Sequence, residues 1–302
     1  MNKGKIIVIG SSNMDMVVKA DRIPSPGETI LSGDFFMNPG GKGANQAVAA
    51  ARLGGNVTFV SKLGDDMFGN QFAELFKAEG IDTAHLLYDP QLPSGVALIT
   101  VDKKGENSIV VASGANAAML TEDIDKILDE IASADIVLLQ LETPMKVVEH
   151  IAAFASSKNV KVILNPAPAA ALSTELLQYL YMLTPNETEA SIITGITVTD
   201  SASAEKAAQW IHSKGVQHVV ITMSAQGALI CEAGKCSMIS AVQVKAVDTT
   251  AAGDTFNGAL SVALSEGKTL TEAVRFGCAA AAISVTRLGA QSSIPYRKEL
   301  TV

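Results

Sequence analysis

Short apolar runs rich in valine and isoleucine alternate with helical segments along most of the chain, and this order constrains the fold more than any other feature. The runs are IIVIG at 6–10, VTFVSKL at 57–63, DIVLLQL at 135–141, VKVILN at 160–165 and HVVITM at 218–223. Continuous apolar strands of this kind belong in a parallel sheet that is covered on both faces. The sequence therefore predicts an α/β fold with a doubly wound, mostly parallel sheet and right-handed crossovers.

Two stretches, about 14–37 and about 93–113, interrupt this alternation. The first contains the turn sequences PSPGE and LSGD, and in the second GVALITVD and NSIVVAS flank DKKGE as the strands of a hairpin flank its turn. We expect neither stretch to run directly into a helix. Short strands inserted at these two places predict a small β-sheet that closes over the ligand-binding site as a lid. We expect the core and this lid to form a single domain of residues 1–302.

Composition excludes several classes of function. The 302 residues are 48% hydrophobic and 18% charged, which is typical of a fully folded enzyme. The net charge of −8 argues against nucleic-acid binding, because phosphate backbones are held by clustered lysine and arginine. No apolar run reaches the roughly 20 residues that span a bilayer, so we expect no membrane partner and a cytoplasmic protein. The three cysteines are expected to be reduced thiols.

The most informative motif is DTTAAGDTFNGALSVAL, which begins at Asp248 and leads into an apolar helix that runs to about Leu264. A helix N-terminus presents unpaired amides and a partial positive charge, and small residues leave those amides open to an anion. These small residues are Ala251, Ala252 and Gly253. Asp254 follows in the first turn, where a carboxylate beside a bound phosphoryl group could accept the proton of an attacking alcohol.

A structural interpretation of the same motif stays open at this point. Thr249 or Thr250 could cap a core helix, and Asp254 could simply complement the helix dipole.

A second glycine-rich motif, NPGGKGANQAVAAARLGG at 38–55, opens another predicted helix. The motif is not a P-loop, because Lys42 is followed by Gly43 rather than Ser or Thr. It is not a dinucleotide-binding fingerprint either, because Gln46 stands where that motif needs a third glycine. Backbone at the glycines could approach a polyol, with Lys42 and Asn45 as donors. A glycine-rich loop before a core helix, with Lys42 solvated, is equally compatible with this stretch.

Polar residues follow two predicted strands. Asn13 and Asp15 follow the first one, which we expect to be central, and Glu142 ends IVLLQLE. Ligands gather at the carboxyl ends of parallel strands, so these side chains could bind sugar hydroxyls. An Asx turn and a solvated strand end are the structural alternatives.

The segment TPNETE at 184–189 has the spacing of a capping box, with Asn186 followed by Glu189 three residues later. Capping alone explains this spacing. The carboxylate could also hold Mg²⁺ through water molecules, as this cation prefers.

Taken together, these segments resemble the ribokinase family of PfkB-type carbohydrate kinases over nearly the whole chain, from Ser11 to Pro295. The motifs that support the resemblance are GGKGANQAVAAA, LNPAPA, TPNETE, DTTAAGDTFNGAL and GAQSSIP. It implies transfer of a phosphoryl group from ATP to the 5-hydroxyl of ribose, with Asp254 as general base and the amides of the three small residues before it stabilising the transferred charge. The residues implied to surround the sugar are Asn13, Asp15, Gly41, Lys42, Gly43, Asn45, Glu142 and Asp254.

The resemblance also implies a nucleotide site and a monovalent cation site. Asn186 and Glu189 would place the phosphates and Mg²⁺, Gly253 would contact the phosphates, and Cys278 would line the adenine site. The nucleotide loop would contain Thr222, Ser224 and Gly227. The potassium ligands would come from Asp248, Thr250, Ser284, Arg287, Gly289 and Ser293. A homodimer through the lid is expected by analogy with the family and because exposed sheet edges pair readily.

Three residues depart from the family pattern. Ala251 and Ser224 stand where glycine is common, and Cys278 stands where His or Asn is common. The alternatives are a kinase for deoxyribose, a ketose or a nucleoside, and a sugar-sensing protein that has kept the fold without catalysis. A dinucleotide-dependent oxidoreductase is a third alternative, and the missing glycine fingerprint argues against it.

Overall fold

The structure is a computed structural model that describes residues 4–31 and 33–300. Ser32, in the first predicted lid stretch, lies outside the described residues. The β-strands of the described residues are, in chain order, β1 (Lys5–Ile9), β2 (Asn13–Lys19), β3 (Asp34–Gly40), β4 (Asn56–Val60), β5 (Lys62–Gly64), β6 (Leu87–Asp89), β7 (Gly95–Val101), β8 (Asn107–Ala112), β9 (Ile136–Leu139), β10 (Lys161–Leu164), β11 (Met182–Leu183), β12 (His218–Thr222), β13 (Ala228–Glu232) and β14 (Lys235–Ile239).

The α-helices cover the faces of the main sheet and connect most of its strands. In chain order they are α1 (Lys42–Arg52), α2 (Met67–Ala78), α3 (Thr121–Asp125), α4 (Leu128–Ala132), α5 (Met145–Ser157), α6 (Thr174–Tyr179), α7 (Glu187–Thr194), α8 (Ser201–Ser213), α9 (Ala252–Ser265) and α10 (Leu270–Ser284). Short 3₁₀ helices lie at Gly114–Ala118, Ser224–Gln226, Gln291–Ser293 and Arg297–Glu299. None of the helices in residues 4–31 and 33–300 is long and apolar enough to span a membrane.

The main sheet has eight strands in the order β14-β13-β12-β11-β10-β9-β1-β4, and the strands from β4 to β12 are parallel. Successive residues of β1 point to opposite faces, so Ile6 and Val8 join one core cluster while Ile7 and Ile9 join the other. Helices α1, α9 and α10 supply the first cluster, and α5, α6 and α8 supply the second. The predicted doubly wound α/β fold is confirmed.

Three details of the main sheet differ from the sequence predictions. Strand β1 is not central, because only β4 separates it from the edge. The opposite edge is the antiparallel hairpin β13–β14, which the sequence analysis did not predict. The third difference is that Cys231 and Cys236 are direct cross-strand partners in this hairpin, with Cα atoms 4.1 Å apart, a pairing that the sequence analysis did not predict.

A separate four-stranded sheet has the order β3-β2-β7-β8, and it is the lid of the predicted fold class. β7 and β8 form the predicted hairpin, with Val101 opposite Asn107. The first insertion runs directly into α1, contrary to expectation, because β3 continues to Gly40 and α1 begins at Lys42. Gly41 makes this junction with φ of 89°, and a Cβ atom there would lie 2.7 Å from the backbone nitrogen of Asn13. Only glycine fits this turn.

Helices α1 and α9 cross at close range, which fixes the geometry of the site. A Cβ atom added to Gly258 of α9 would lie 2.6 Å from the Cβ of Ala49 and 2.8 Å from the carbonyl oxygen of Gln46. This glycine therefore allows the two backbones to approach. The crossing brings the middle of α1 against the first turn of α9, where Asp254 lies.

Candidate active site

The N-terminus of α9 carries no side-chain cap from a described residue. Its N-cap is Ala251, which has a left-handed backbone with φ of 58°, and the Thr250 hydroxyl donates instead to Asp248 Oδ1 over 2.6 Å. The interpretation of Thr249 or Thr250 as the cap is therefore wrong. The left-handed conformation costs a non-glycine residue on the order of 1–3 kcal/mol, so Ala251 carries a steric cost that the expected glycine would avoid.

Two cavities of about 670 and 210 Å³ meet at this helix start. A Cβ atom added to Gly253 would have no neighbour within 4 Å, so the position opens into space. Both cavities are lined by Asn186, Thr222, Thr249, Ala252 and Gly253. An anion bound here would receive the amides and partial positive charge of the helix terminus.

The larger cavity suits a flat apolar base joined to polar phosphates. The predicted nucleotide residues Thr222, Ser224, Gly227 and Cys278 line it. Burial raises the pKa of Cys278 to about 11, so its thiol is neutral at pH 7. The larger cavity is also lined by apolar side chains that the sequence analysis missed, those of Val242, Val244, Phe256 and Val285.

Gly227 is required by the loop after β12. It has φ of 108°, and a side chain there would collide with the carbonyl oxygen of Ile239. Ser224, one of the three departures, also has a left-handed backbone with φ of 47°. A left-handed backbone favours glycine at both positions, so Ser224 holds this conformation at a steric cost that Gly227 avoids.

Asp254 is a buried carboxylate with donors on both oxygens. Asn45 Nδ2 donates to Oδ2 and Gln46 Nε2 donates to Oδ1, each over 2.9 Å. Burial raises the pKa of Asp254 above its ordinary value, and Lys42 with the two amide donors opposes this rise. Asn45 Oδ1 is buried without a hydrogen-bond partner among the described residues, so it is free to accept from a hydroxyl group.

Lys42 is the cation at the centre of the predicted sugar residues. Burial would lower its pKa, but the net direction is upward because four carboxylates surround the ammonium. These carboxylates belong to Asp254, Glu142, Glu189 and Asp15. Glu142 Oε2 also accepts from the backbone nitrogen of Lys42 over 3.0 Å and from Ser11 Oγ over 2.5 Å, which holds the end of β9 against the start of α1.

Asp15 brings the lid into this charged cluster. It lies on β2 opposite Asn38, and Gly40 leaves the space that its carboxylate occupies. Burial raises the pKa of Asp15 to about 7, Glu142 and Asp254 add to the rise, and Lys42 opposes it. Asn13 lies two residues earlier on the strand, where its Oδ1 accepts from Asn116 Nδ2 over 2.9 Å.

The capping box at the start of α7 is present. Asn186 N donates to Glu189 Oε2 over 2.9 Å, and Glu189 N donates to Asn186 Oδ1 over 2.8 Å. Glu189 nevertheless lines the smaller cavity with Lys42 and Asp254, so capping does not remove it from the site. No cluster of three His, Cys, Asp or Glu side chains with metal-binding geometry occurs in residues 4–31 and 33–300. One carboxylate beside a phosphate site still fits Mg²⁺, which keeps several of its water ligands.

The predicted potassium residues lie in two neighbouring segments, the loop after β14 and the end of α10 with the residues that follow it. Asp248 Oδ1 accepts from the nitrogen of Thr250 over 2.9 Å, and Oδ2 accepts from the nitrogen of Gly289 over 2.8 Å. Burial would raise the pKa of Asp248, but these hydrogen bonds hold it below its ordinary value. The Ser284 carbonyl accepts from Arg287 N over 3.0 Å, and Ser293 bonds only locally, its Oγ donating to the Ala290 carbonyl.

A buried amide network behind Asp254 was missed by the sequence analysis. Gln140 Nε2 donates to Gln46 Oε1 over 2.6 Å, and Gln46 Nε2 donates to Asn165 Oδ1 over 3.0 Å as well as to Asp254. On the other side, Asn257 Nδ2 donates to the carbonyl of Gly253 over 2.8 Å. The only available signal was the presence of amide side chains in otherwise apolar segments.

Comparison with known proteins gives the same family as the motifs. The model of the "pfkB family carbohydrate kinase" matches residues 3–297. A ribokinase of Haemophilus influenzae is 50% identical over 294 residues, covering 97% of this chain and 96% of that protein. A deoxyribokinase of Salmonella typhi is 36% identical over 291 residues, covering 96% of this chain and 95% of that protein.

A solved structure shows the same fold. The structure of Arabidopsis thaliana ribokinase complexed with ribose and ATP has a TM-score of 0.92 and 35% identity, covering 99% of this chain and 97% of that chain. The family match spans nearly the whole sequence, and the two relatives cover 97% and 96% of this chain. The chain therefore belongs to the pfkB family of carbohydrate kinases.

Proposed function

We propose that this protein phosphorylates D-ribose at its 5-hydroxyl, using ATP and giving ribose 5-phosphate and ADP. The observation that supports this most is the buried carboxylate of Asp254 at the uncapped start of α9, where the two cavities meet. In this proposal the larger cavity holds the adenine, and the γ-phosphoryl group lies at the amides of Ala252 and Gly253. The sugar occupies the space between Asp254 and the lid.

Each charged side chain has a distinct part in the proposed reaction. Asp254 accepts the proton of the sugar hydroxyl as this oxygen attacks phosphorus. Lys42 opposes protonation of the nearby carboxylates, while Asp15 and Asn45 accept hydrogen bonds from the sugar. Glu189 would hold Mg²⁺ through water molecules. Mg²⁺ would neutralise phosphate charge. A potassium ion held by the predicted residues after β14 and at the end of α10 would stabilise the loop that leads into α9.

The lid supports a proposed homodimer. The face of its sheet opposite Asp15 exposes a group of apolar side chains: Phe35, Met37, Leu98 and Val110. A second lid packed on this face would remove these side chains from water. The proposal includes a cytoplasmic location, where ATP is supplied.

The first test measures ADP release with Mg·ATP against ribose, deoxyribose, fructose and adenosine, with and without potassium. We expect turnover with ribose that rises with potassium. Preference for deoxyribose, the substrate named for the Salmonella relative, would contradict the assigned sugar and leave the kinase assignment. The absence of sugar-dependent turnover with all four would contradict the proposed function and favour a sensor.

Asp254→Asn tests the general base. We expect kcat to fall by at least about 10², because the amide cannot accept the proton, while the KM for ribose changes little. The matched control is Asp129→Asn, which makes the same chemical change at an exposed residue and should keep normal kinetics. Turnover of Asp254→Asn close to the wild-type value would refute the assignment.

The raised pKa of Asp15 predicts a pH dependence of ribose binding. Above pH 7 the carboxylate is ionised and can accept two hydroxyl donors, and below pH 7 it is increasingly protonated. We therefore expect the Kd for ribose, measured by calorimetry, to rise by up to about tenfold per pH unit below pH 7. Glu142, Asp254 and Lys42 face Asp15 and also carry charge. The variant Asp15→Asn removes only the Asp15 carboxylate, so it shows whether this group causes the pH dependence. It should bind weakly with a flat profile, and a wild-type Kd that is constant between pH 6 and 8 would contradict the role.

A further inference from the structure

Gln46 is a fully buried amide on α1 that contacts the proposed base but lines neither cavity. We infer that Gln46 is a positioning residue for phosphoryl transfer, which fixes the Asp254 carboxylate so that the oxygen shared with Asn45 faces the substrate hydroxyl. The inference rests on the proposed function. It assigns a role to a residue that touches no substrate and acts through Asp254.

The hydrogen bonds of Gln46 leave its amide one orientation. Nε2 donates to Asp254 Oδ1 over 2.9 Å and to Asn165 Oδ1 over 3.0 Å, and both of these atoms are acceptors. A flipped amide would place Oε1 against two oxygens and lose both bonds. Gln140 Nε2 donates to Oε1 over 2.6 Å and thus selects the observed orientation.

The network anchors the carboxylate to the main sheet. Gln140 and Asn165 follow directly after β9 and β10, and Asn165 Nδ2 donates to the carbonyl of Thr184 after β11 over 3.2 Å. The base thus takes its position from the ends of three parallel strands as well as from its own helix. Adjacent residues of α1 then hold its two oxygens, since Asn45 bonds Oδ2 and Gln46 bonds Oδ1.

The same bonds favour the ionised form of the base. Burial raises the pKa of Asp254, and Glu142 adds to the rise. Lys42, Gln46 and Asn45 oppose it. The other carboxylates coupled to Asp254 are those of Asp15 and Glu189. Loss of the Gln46 donor leaves Oδ1 with less compensation in a buried site, so a larger share of Asp254 is protonated near neutral pH.

The test is the pH profile of kcat for Gln46→Glu, which keeps the size of the side chain and replaces its donor by an acceptor. Two carboxylates in hydrogen-bond contact share a proton, so the base titrates at higher pH. We expect kcat at pH 7 to fall at least about tenfold and to recover partly at alkaline pH. The acid limb should move upward by about one pH unit or more, with the KM for sugar and for ATP within about threefold of wild type.

Gln46→Met carries the test if the glutamate variant does not fold. The methionine side chain has a similar length and no hydrogen-bond donor. This variant should also lower kcat and move the acid limb of the kcat–pH profile upward, by less than Gln46→Glu does. The control is Gln209→Glu, the same chemical change at an exposed glutamine of α8 that lines neither cavity. Its acid limb should stay in place even where the thermal midpoint falls.

The outcomes separate the two claims. An acid limb that stays at the wild-type pH in both Gln46 variants, with losses confined to the thermal midpoint or to KM, would overturn the positioning role while the proposed function stands. Wild-type protein without sugar-dependent turnover would contradict the proposed function and the inference with it.

Discussion

The site depends on keeping one carboxylate ionised in a place with little access to water. A buried carboxylate without partners would take up a proton, because desolvation penalises its charged form. Here Asp254 receives an amide donor on each oxygen, and the ammonium of Lys42 is the nearby positive charge. All three compensating side chains come from α1, so the crossing of α1 and α9 determines whether Asp254 can act as a base.

The connection between the lid and α1 links substrate contact to the base. Strand β3 of the lid runs through Gly41 into the helix that supplies Lys42, Asn45 and Gln46. The neighbouring strand β2 carries Asp15 into the same cluster of charges. A movement of the lid would therefore act on the groups that surround Asp254, and sugar that binds to Asp15 would bind to a structure already joined to the base.

Sequence patterns predicted the parts of the molecule that depend on local order. The apolar runs predicted five strands of the main sheet, and the small residues before an apolar stretch predicted the helix that carries Asp254 in its first turn. The edge hairpin β13–β14 and the two-residue strand β11 inside the sheet were missed, since strands this short lack a distinctive period. Gln46 was read only as the residue that breaks a dinucleotide fingerprint. Its contact with Asp254 spans 208 positions of sequence, which residue spacing cannot predict.

The central claim is that Asp254 lies between the sugar hydroxyl and the phosphoryl group at the start of α9. The most direct measurement is a crystal structure of the protein with ribose and a non-hydrolysable ATP analogue. The account predicts the ribose 5-oxygen at about 2.6–3.2 Å from Asp254 Oδ2, with the γ-phosphate at the amides of Ala252 and Gly253. A 5-oxygen bonded to another side chain, or a γ-phosphate held away from α9, would contradict it.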